Sequence, residues 1–176
     1  MLTHRELFLK YLAQTSDSPL QLEIEKAEGV YLYTPSGKEI IDLISGVSVS
    51  NVGHSHNEVV KAVTEQAQKY MHLMVYGEFV QHPQVKLAEA ICKILPQKLQ
   101  SVYFVNSGSE AVEGAIKLAK RYTGKPNIIS FKNAYHGGTN GALSLMGSEE
   151  FKQAFRPLLP GVKHLTFNNF DDLYRI

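Results

Sequence analysis

Between positions 58 and 122 the apolar residues fall at helical spacing in three separate stretches. Val59, Val63, Ala67 and Tyr70 share one stripe, which predicts a helix over 58–72. A second helix is predicted from Pro83, a residue suited to a first turn. It turns Ala88, Ile91, Cys92 and Leu95 inward and stops at Pro96. The third runs over 108–122, with Ala111, Ala115, Leu118 and Tyr122 on the face expected to meet the core. Lys117, Lys120 and Arg121 lie toward its C-terminal end, where the helix dipole favours cations, and Gly124 closes it. Elsewhere the period is two. Residues 22–50 alternate around Thr34, Pro35, Ser36 and Gly37, predicting a small antiparallel hairpin. The β-branched and aromatic runs 101–105 and 127–131 read as strands. Residues 1 to about 20 read as a short helix and a polar turn. Strand, helix and strand in succession over 101–131 predict an α/β sheet with ligand chemistry at the strand ends.

Composition narrows the classes. With 44% hydrophobic residues among 176, the chain has material for a packed core and is not expected to be disordered. That length fits one domain or part of a larger one. A net charge of +1 without a Lys/Arg cluster gives no field for nucleic acid. The single cysteine, Cys92, excludes an internal disulfide and reads as core filler. Arg5, Glu6 and Lys10 interrupt the stretch where a signal peptide would be apolar. No apolar run approaches the roughly 20 residues of a membrane span, so a cytoplasmic location is expected. His54 and His56 sit in a loop without the further carboxylates or cysteines that would complete a metal site, and none is expected there. His72, His82 and His164 show no pattern.

The most informative segment is SVYFVNSGSEAVEGAIKLAKRY, residues 101–122, followed by NAYHGG at 133–138. A strand ending in a serine-glycine turn at a helix start makes an anion site. The first helical amides lack intrahelical partners, and the dipole favours negative charge there. Ser107 and Ser109 add hydroxyl donors, and Gly108 allows close approach to the backbone. Ser107 to Glu110 also fits the S-x-x-E capping box, which satisfies backbone donors with no ligand present. Spacing alone leaves both readings open. The segment is neither a P-loop nor a dinucleotide fingerprint, because neither glycine spacing is present.

Four stretches then carry a resemblance over nearly the whole chain: 29–56 (GVYLYTPSGKEIIDLISGVSVSNVGHSH), 102–124 (VYFVNSGSEAVEGAIKLAKRYTG), 128–144 (IISFKNAYHGGTNGALS) and 155–161 (FRPLLPG). In this order they resemble the N-terminal part of a class III pyridoxal-phosphate aminotransferase, the group holding ornithine, acetylornithine and 4-aminobutyrate transaminases. The resemblance implies a fold-type I α/β transferase. Residues 1–50 would belong to its small domain, 51–72 would be a connecting helix, and 73–176 would be the first part of the large cofactor domain. It also implies a homodimer acting on an amino donor and a 2-oxo acid. By the family's motifs, Ser107, Gly108 and Ser109 would hold the cofactor phosphate. Tyr135 would cover the pyridine ring and His136 would lie beside it. A flat electron sink bearing a dianion needs such a nest and an aromatic shelf. Without the resemblance Tyr135 reads as a loop tyrosine packed over the core, and Gly137 and Gly138 as ordinary turn glycines.

The resemblance places the Schiff-base lysine and the aspartate facing the pyridine nitrogen downstream of this sequence. Lys125, Lys132, Lys152 and Lys163 match no lysine motif and read as surface residues. The chain is therefore expected to be an N-terminal fragment (truncated, proteolysed or from a split gene) without transaminase activity alone. Members acting on ornithine, acetylornithine or 4-aminobutyrate commonly carry arginine two residues after the motif histidine. Here that position is Gly138, which offers no bidentate clamp for a carboxylate. Val47 and Tyr76 fall where the family's N-terminal segments approach substrate, and each fits packing equally well. Asn57 stands where the pattern usually has proline. Two other readings stay open: an aminomutase or racemase of the same class, distinguished by needing no keto-acid acceptor, and a non-catalytic phosphate-binding or assembly module.

Overall fold

The computed structural model describes residues 2–74 and 77–174, in two compact units, Met1–Val80 and Gln81–Ile176. In the first unit, α1 (His4–Tyr11) opens on a capping box, with Thr3 and Glu6 satisfying each other's backbone donors. Three short antiparallel strands follow, β1 (Lys26–Glu28), β2 (Tyr31–Tyr33) and β3 (Glu39–Ile41). The expected hairpin is thus a three-stranded meander. Its second turn is the expected one, closed by the Gly37 amide donating to the Thr34 carbonyl at 2.9 Å.

After β3 the chain enters a one-turn element, α2 (Ser45–Ser48), wound with the wrong hand for L-residues. Ser45, Gly46, Val47 and Ser48 have φ of 52°, 60°, 63° and 63°. Each of the three non-glycine residues is disfavoured there by about 1–2 kcal/mol. Asp42 holds the turn. Its Oδ1 accepts from the amides of Ile44 and Ser45 at 3.0 and 2.8 Å, and its Oδ2 meets His54 Nε2 at 2.7 Å. The Ser45 amide and then the His54 imidazole lower the Asp42 carboxyl below its ordinary value. His54 is itself fixed by a two-way backbone bridge to Gly29. Its imidazole is therefore engaged by a carboxylate in a structural turn. Helix α3 (Asn57–Lys69) completes the unit, with Val59 and Val63 of its expected inner stripe exposed.

The second unit holds every buried residue described. Helix α4 (His82–Ile94) carries Pro83 in its first turn, and Ala88, Ile91 and Cys92 are half-buried along it. Residues 101–105 pair with no strand among the described residues, so the first strand of the expected strand–helix–strand unit does not form there. A strand is defined by a bonded neighbour, and the described residues supply none beside this segment. Helix α5 (Gly108–Thr123) follows and ends on Gly124 at φ 67°. Then come β4 (Ile128–Phe131), α6 (Asn140–Leu145), β5 (Val162–Leu165) and the short α7 (Phe170–Leu173). β4 and β5 pair in parallel, with Ser130 opposite His164. The core is Ala142, Leu143 and Leu145 of α6 with Met146, Ile116 and Leu165, all at most 7% exposed.

Helix α5 turns a different face inward from the one the pattern predicts. Ile116 is buried, with Val112 and Glu113 half-buried beside it, whereas Leu118 and Tyr122 are 68% and 89% exposed. The helix meets α6, and a carboxylate explains the rotation. Glu113 Oε1 accepts from Thr139 Oγ1 at 2.6 Å and from the amides of Gly141 and Ala142 at 2.8 and 3.2 Å, capping α6. A Cβ on Gly141 would lie 2.2 Å from Glu113 Oε2, so glycine permits the contact. Those bonds, Thr139's first, hold the Glu113 carboxyl below the usual carboxylate range.

Candidate functional site

The turn before α5 is a helix cap that leaves further donors open beside it. Ser107 is the N-cap, and its Oγ accepts from the Glu110 amide at 3.1 Å. The Glu110 carboxylate reaches one residue further back than a capping box requires, accepting from the Asn106 amide at 2.7 Å. A serine hydroxyl that accepts this way keeps its proton to donate. The amides of Gly108 and Ser109 lie in the first helical turn, where no intrahelical acceptor exists. Nothing lies within 4 Å of a Cβ built at Gly108. Donors, open space and the positive end of a 16-residue helix coincide.

Gly137 brings the second motif to this turn. It is buried at φ 126°, and a Cβ there would lie 2.0 Å from Ser109 Oγ and 3.0 Å from Ser109 Cα. Only glycine lets the loop lie so close. Just before it, His136 Nε2 is 3.2 Å from Ser130 Oγ, and that hydroxyl lies 2.5 Å from the Leu145 carbonyl. The serine's one proton goes to the carbonyl, so the imidazole donates from Nε2, and in its neutral form Nδ1 is left as an acceptor. The Tyr135 ring is 73% exposed and meets Phe151 edge-on, centroids 6.4 Å apart at 86°. It is therefore available as a flat surface and is not packed over the core. Gly138 is exposed with open space where a side chain would be.

Ser107, Gly108 and Ser109 thus share one neighbourhood with Tyr135, His136 and Gly137. Val47 lies in the other unit, on the left-handed turn, and is 83% exposed. Tyr76 lies outside the described residues. Lys125, Lys132 and Lys163 are exposed. Lys152 departs from the surface expectation: it is 3% exposed, with Nζ 3.1 Å from Glu149 Oε1. Glu149 also pairs with Arg156. The carboxylate partner is what makes burial of the ammonium tolerable. No group of three or more metal-ligating side chains gathers among the described residues.

Four residues of these arrangements escaped the sequence reading. Ser130 had a signal, a lone hydroxyl inside the apolar run IISF. Asp42 had a weaker one, a carboxylate just ahead of a Ser-Gly turn. Glu113 and Phe151 had none, since each acts on a residue distant in the chain.

An open helix N-terminus with unpaired amides lies beside a loop carrying an exposed aromatic ring and a histidine set against Ser130. The model of the aminotransferase class-III family matches residues 11–173, and the chain belongs to that family, whose cofactor is pyridoxal phosphate. An acetylornithine aminotransferase of Methanopyrus kandleri is 38% identical over 167 residues, 94% of this chain and 42% of that protein. The [LysW]-aminoadipate semialdehyde/glutamate semialdehyde transaminase of Sulfurisphaera tokodaii is 36% identical over 155 residues, 88% of this chain and 40% of its own length. Among solved structures, taurine:2-oxoglutarate aminotransferase from Bifidobacterium kashiwanohense, in complex with pyridoxal phosphate and glutamate, matches with a TM-score of 0.84. It is 32% identical, with 98% of this chain and 40% of that one covered. The chain spans about two fifths of the length of these relatives.

Proposed function

We propose that the whole protein transfers an amino group from an amino acid or amine to a 2-oxo acid with pyridoxal phosphate, and that this chain supplies the phosphate cradle and the ring shelf. The observation that carries the proposal is the close seating of Gly137 on Ser109, which sets the Tyr135 loop against the donor-rich turn. The group fits the residues present. A dianionic phosphate would take the amides of Gly108 and Ser109 and the free protons of the Ser107 and Ser109 hydroxyls. Tyr135 would lie over the pyridine ring, and His136 would offer Nδ1 beside it. When bound, the cofactor supplies the electron sink that stabilises charge developing next to the transferred nitrogen. The chain's own residues bind and orient it.

Substrate assignments extend the same reading. Gly138 leaves the ring's edge without a cationic side chain, so the carboxylate clamp of acetylornithine-type members is absent, and the enzyme holds the carboxylate otherwise or takes an amine without one. Val47 and Tyr76 are assigned to the substrate side. Residues 1–50 are assigned to the small domain, 51–72 to a connecting helix and 73–176 to the large domain. The assembly proposed is a cytoplasmic homodimer; the exposed apolar stripes of α3 and α5 support burial against further protein. No helix among the described residues is long and apolar enough to cross a membrane.

The test uses the full-length protein with added pyridoxal phosphate, a panel of amino donors including N-acetylornithine, and 2-oxoglutarate. Formation of glutamate that depends on the oxo acid is expected. Cofactor uptake without transfer to any acceptor would overturn the transferase reading.

A further inference from the structure

Two neighbouring residues invert the usual order of burial. Lys152 is 3% exposed while Phe151 is 51% exposed, against the strong preference of lysine for water and phenylalanine for the interior. The inversion is held by hydrogen bonds and charge. Glu149 takes the Lys152 ammonium at 3.1 Å and the Arg156 guanidinium. Its carbonyl accepts from the amides of Lys152 and Gln153 at 3.0 and 2.9 Å. With Lys152 pinned inward, the adjacent ring points outward and meets Tyr135 edge-on. The chain is held on both sides of Tyr135, at the Ala134 carbonyl by the Gly147 amide at 3.3 Å and through the His136 side chain by Ser130 Oγ at 3.2 Å. The Tyr135 side chain itself has Phe151 as its ring contact.

We propose that Phe151 is a positioning residue, set by the Glu149–Lys152–Arg156 cluster to fix the plane of the Tyr135 ring against the cofactor. This rests on the reading of Tyr135 as the ring shelf. An edge-to-face pair covers at most one face of Tyr135, leaving the other free for stacking, and restricts the ring's rotation. Phe151 touches neither cofactor nor substrate in this role; it acts through Tyr135.

The test compares full-length wild type with Phe151→Leu, Phe151→Tyr and Tyr135→Ala, and with the Phe151→Leu/Tyr135→Ala pair. The readings are the dissociation constant for pyridoxal phosphate, the induced circular dichroism of the bound cofactor and the melting temperature without cofactor. F151L is expected to weaken binding about three- to tenfold and to diminish the dichroism. F151Y, which keeps the ring edge, restores both. In the Tyr135→Ala background F151L adds nothing. Equal affinity and dichroism in F151L and wild type would overturn the proposal, as would an equal loss with Tyr135 already removed, which marks general damage. Wild type that takes up no cofactor at all overturns the functional reading beneath it, an outcome separate from these.

Discussion

Replacing Gly137 with alanine tests whether the loop and the cradle form one site. The added Cβ meets Ser109 Oγ at 2.0 Å, Cβ at 2.8 Å and Cα at 3.0 Å. Rotating the serine hydroxyl away relieves the first contact and leaves the others. The residue also sits at φ 126°, a conformation alanine adopts only at a cost of about 1–3 kcal/mol. Adding the overpacking, about 2–6 kcal/mol opposes the native seating of the loop. Lifting the loop off α5 avoids both penalties more cheaply than unfolding the unit. Tyr135 and His136 would move with it. Full-length G137A is therefore expected to bind pyridoxal phosphate about 30-fold or more weakly, measured by absorbance titration beside a thermal melt. Gly138→Ala is the control. Its site is open and its φ is not positive, so it should leave affinity within about twofold and stability within about 0.5 kcal/mol. Equal cofactor affinity in the two variants would refute the argument.

Three further outcomes follow from other contacts. Glu113→Ala should lower stability by about 1–2 kcal/mol through loss of the α6 cap, and Glu113→Gln by less, because all three donors use Oε1. Glu113 titrates below its ordinary 4.5 when folded, so its contribution is complete above that pH and is lost as pH falls through the folded value. E113Q should flatten this part of an acid-denaturation curve. Val47→Gly should leave stability unchanged or raise it by up to about 1 kcal/mol, since the relief of φ 63° outweighs glycine's entropy cost; a denaturation midpoint shifted clearly downward would contradict this. A polypeptide of residues 1–176 should sediment as a self-associated species, with Leu118, Tyr122, Val59 and Val63 all exposed; a clean monomer argues otherwise.

Helix positions were legible in the sequence because Pro83, Ser107 and Gly124 mark ends by local chemistry. The inner face of α5 was not. Ala111, Ala115, Leu118 and Tyr122 make the more apolar stripe, yet Glu113 decides the rotation by capping α6, whose sequence lies over 25 residues away. The 101–105 run shows the same limit from the other side: its composition suits a strand, but strandedness belongs to a pair. At the site, the donors of Ser107–Ser109 could be read directly from spacing and helix physics. That Phe151 stands outward to meet Tyr135 goes with the burial of Lys152 beside it, against the usual preference of both residues.

The turn at Ser45–Ser48 carries a stereochemical consequence. Three of its four residues are held in the mirror image of the conformation their α-carbons prefer. In a chemically synthesised chain, a D-valine at position 47 would sit at ease where the natural L-valine is forced, while a D-residue at Ile116 would break α5. Inverted chirality thus suits the fold along this short stretch, clasped by Asp42 and His54.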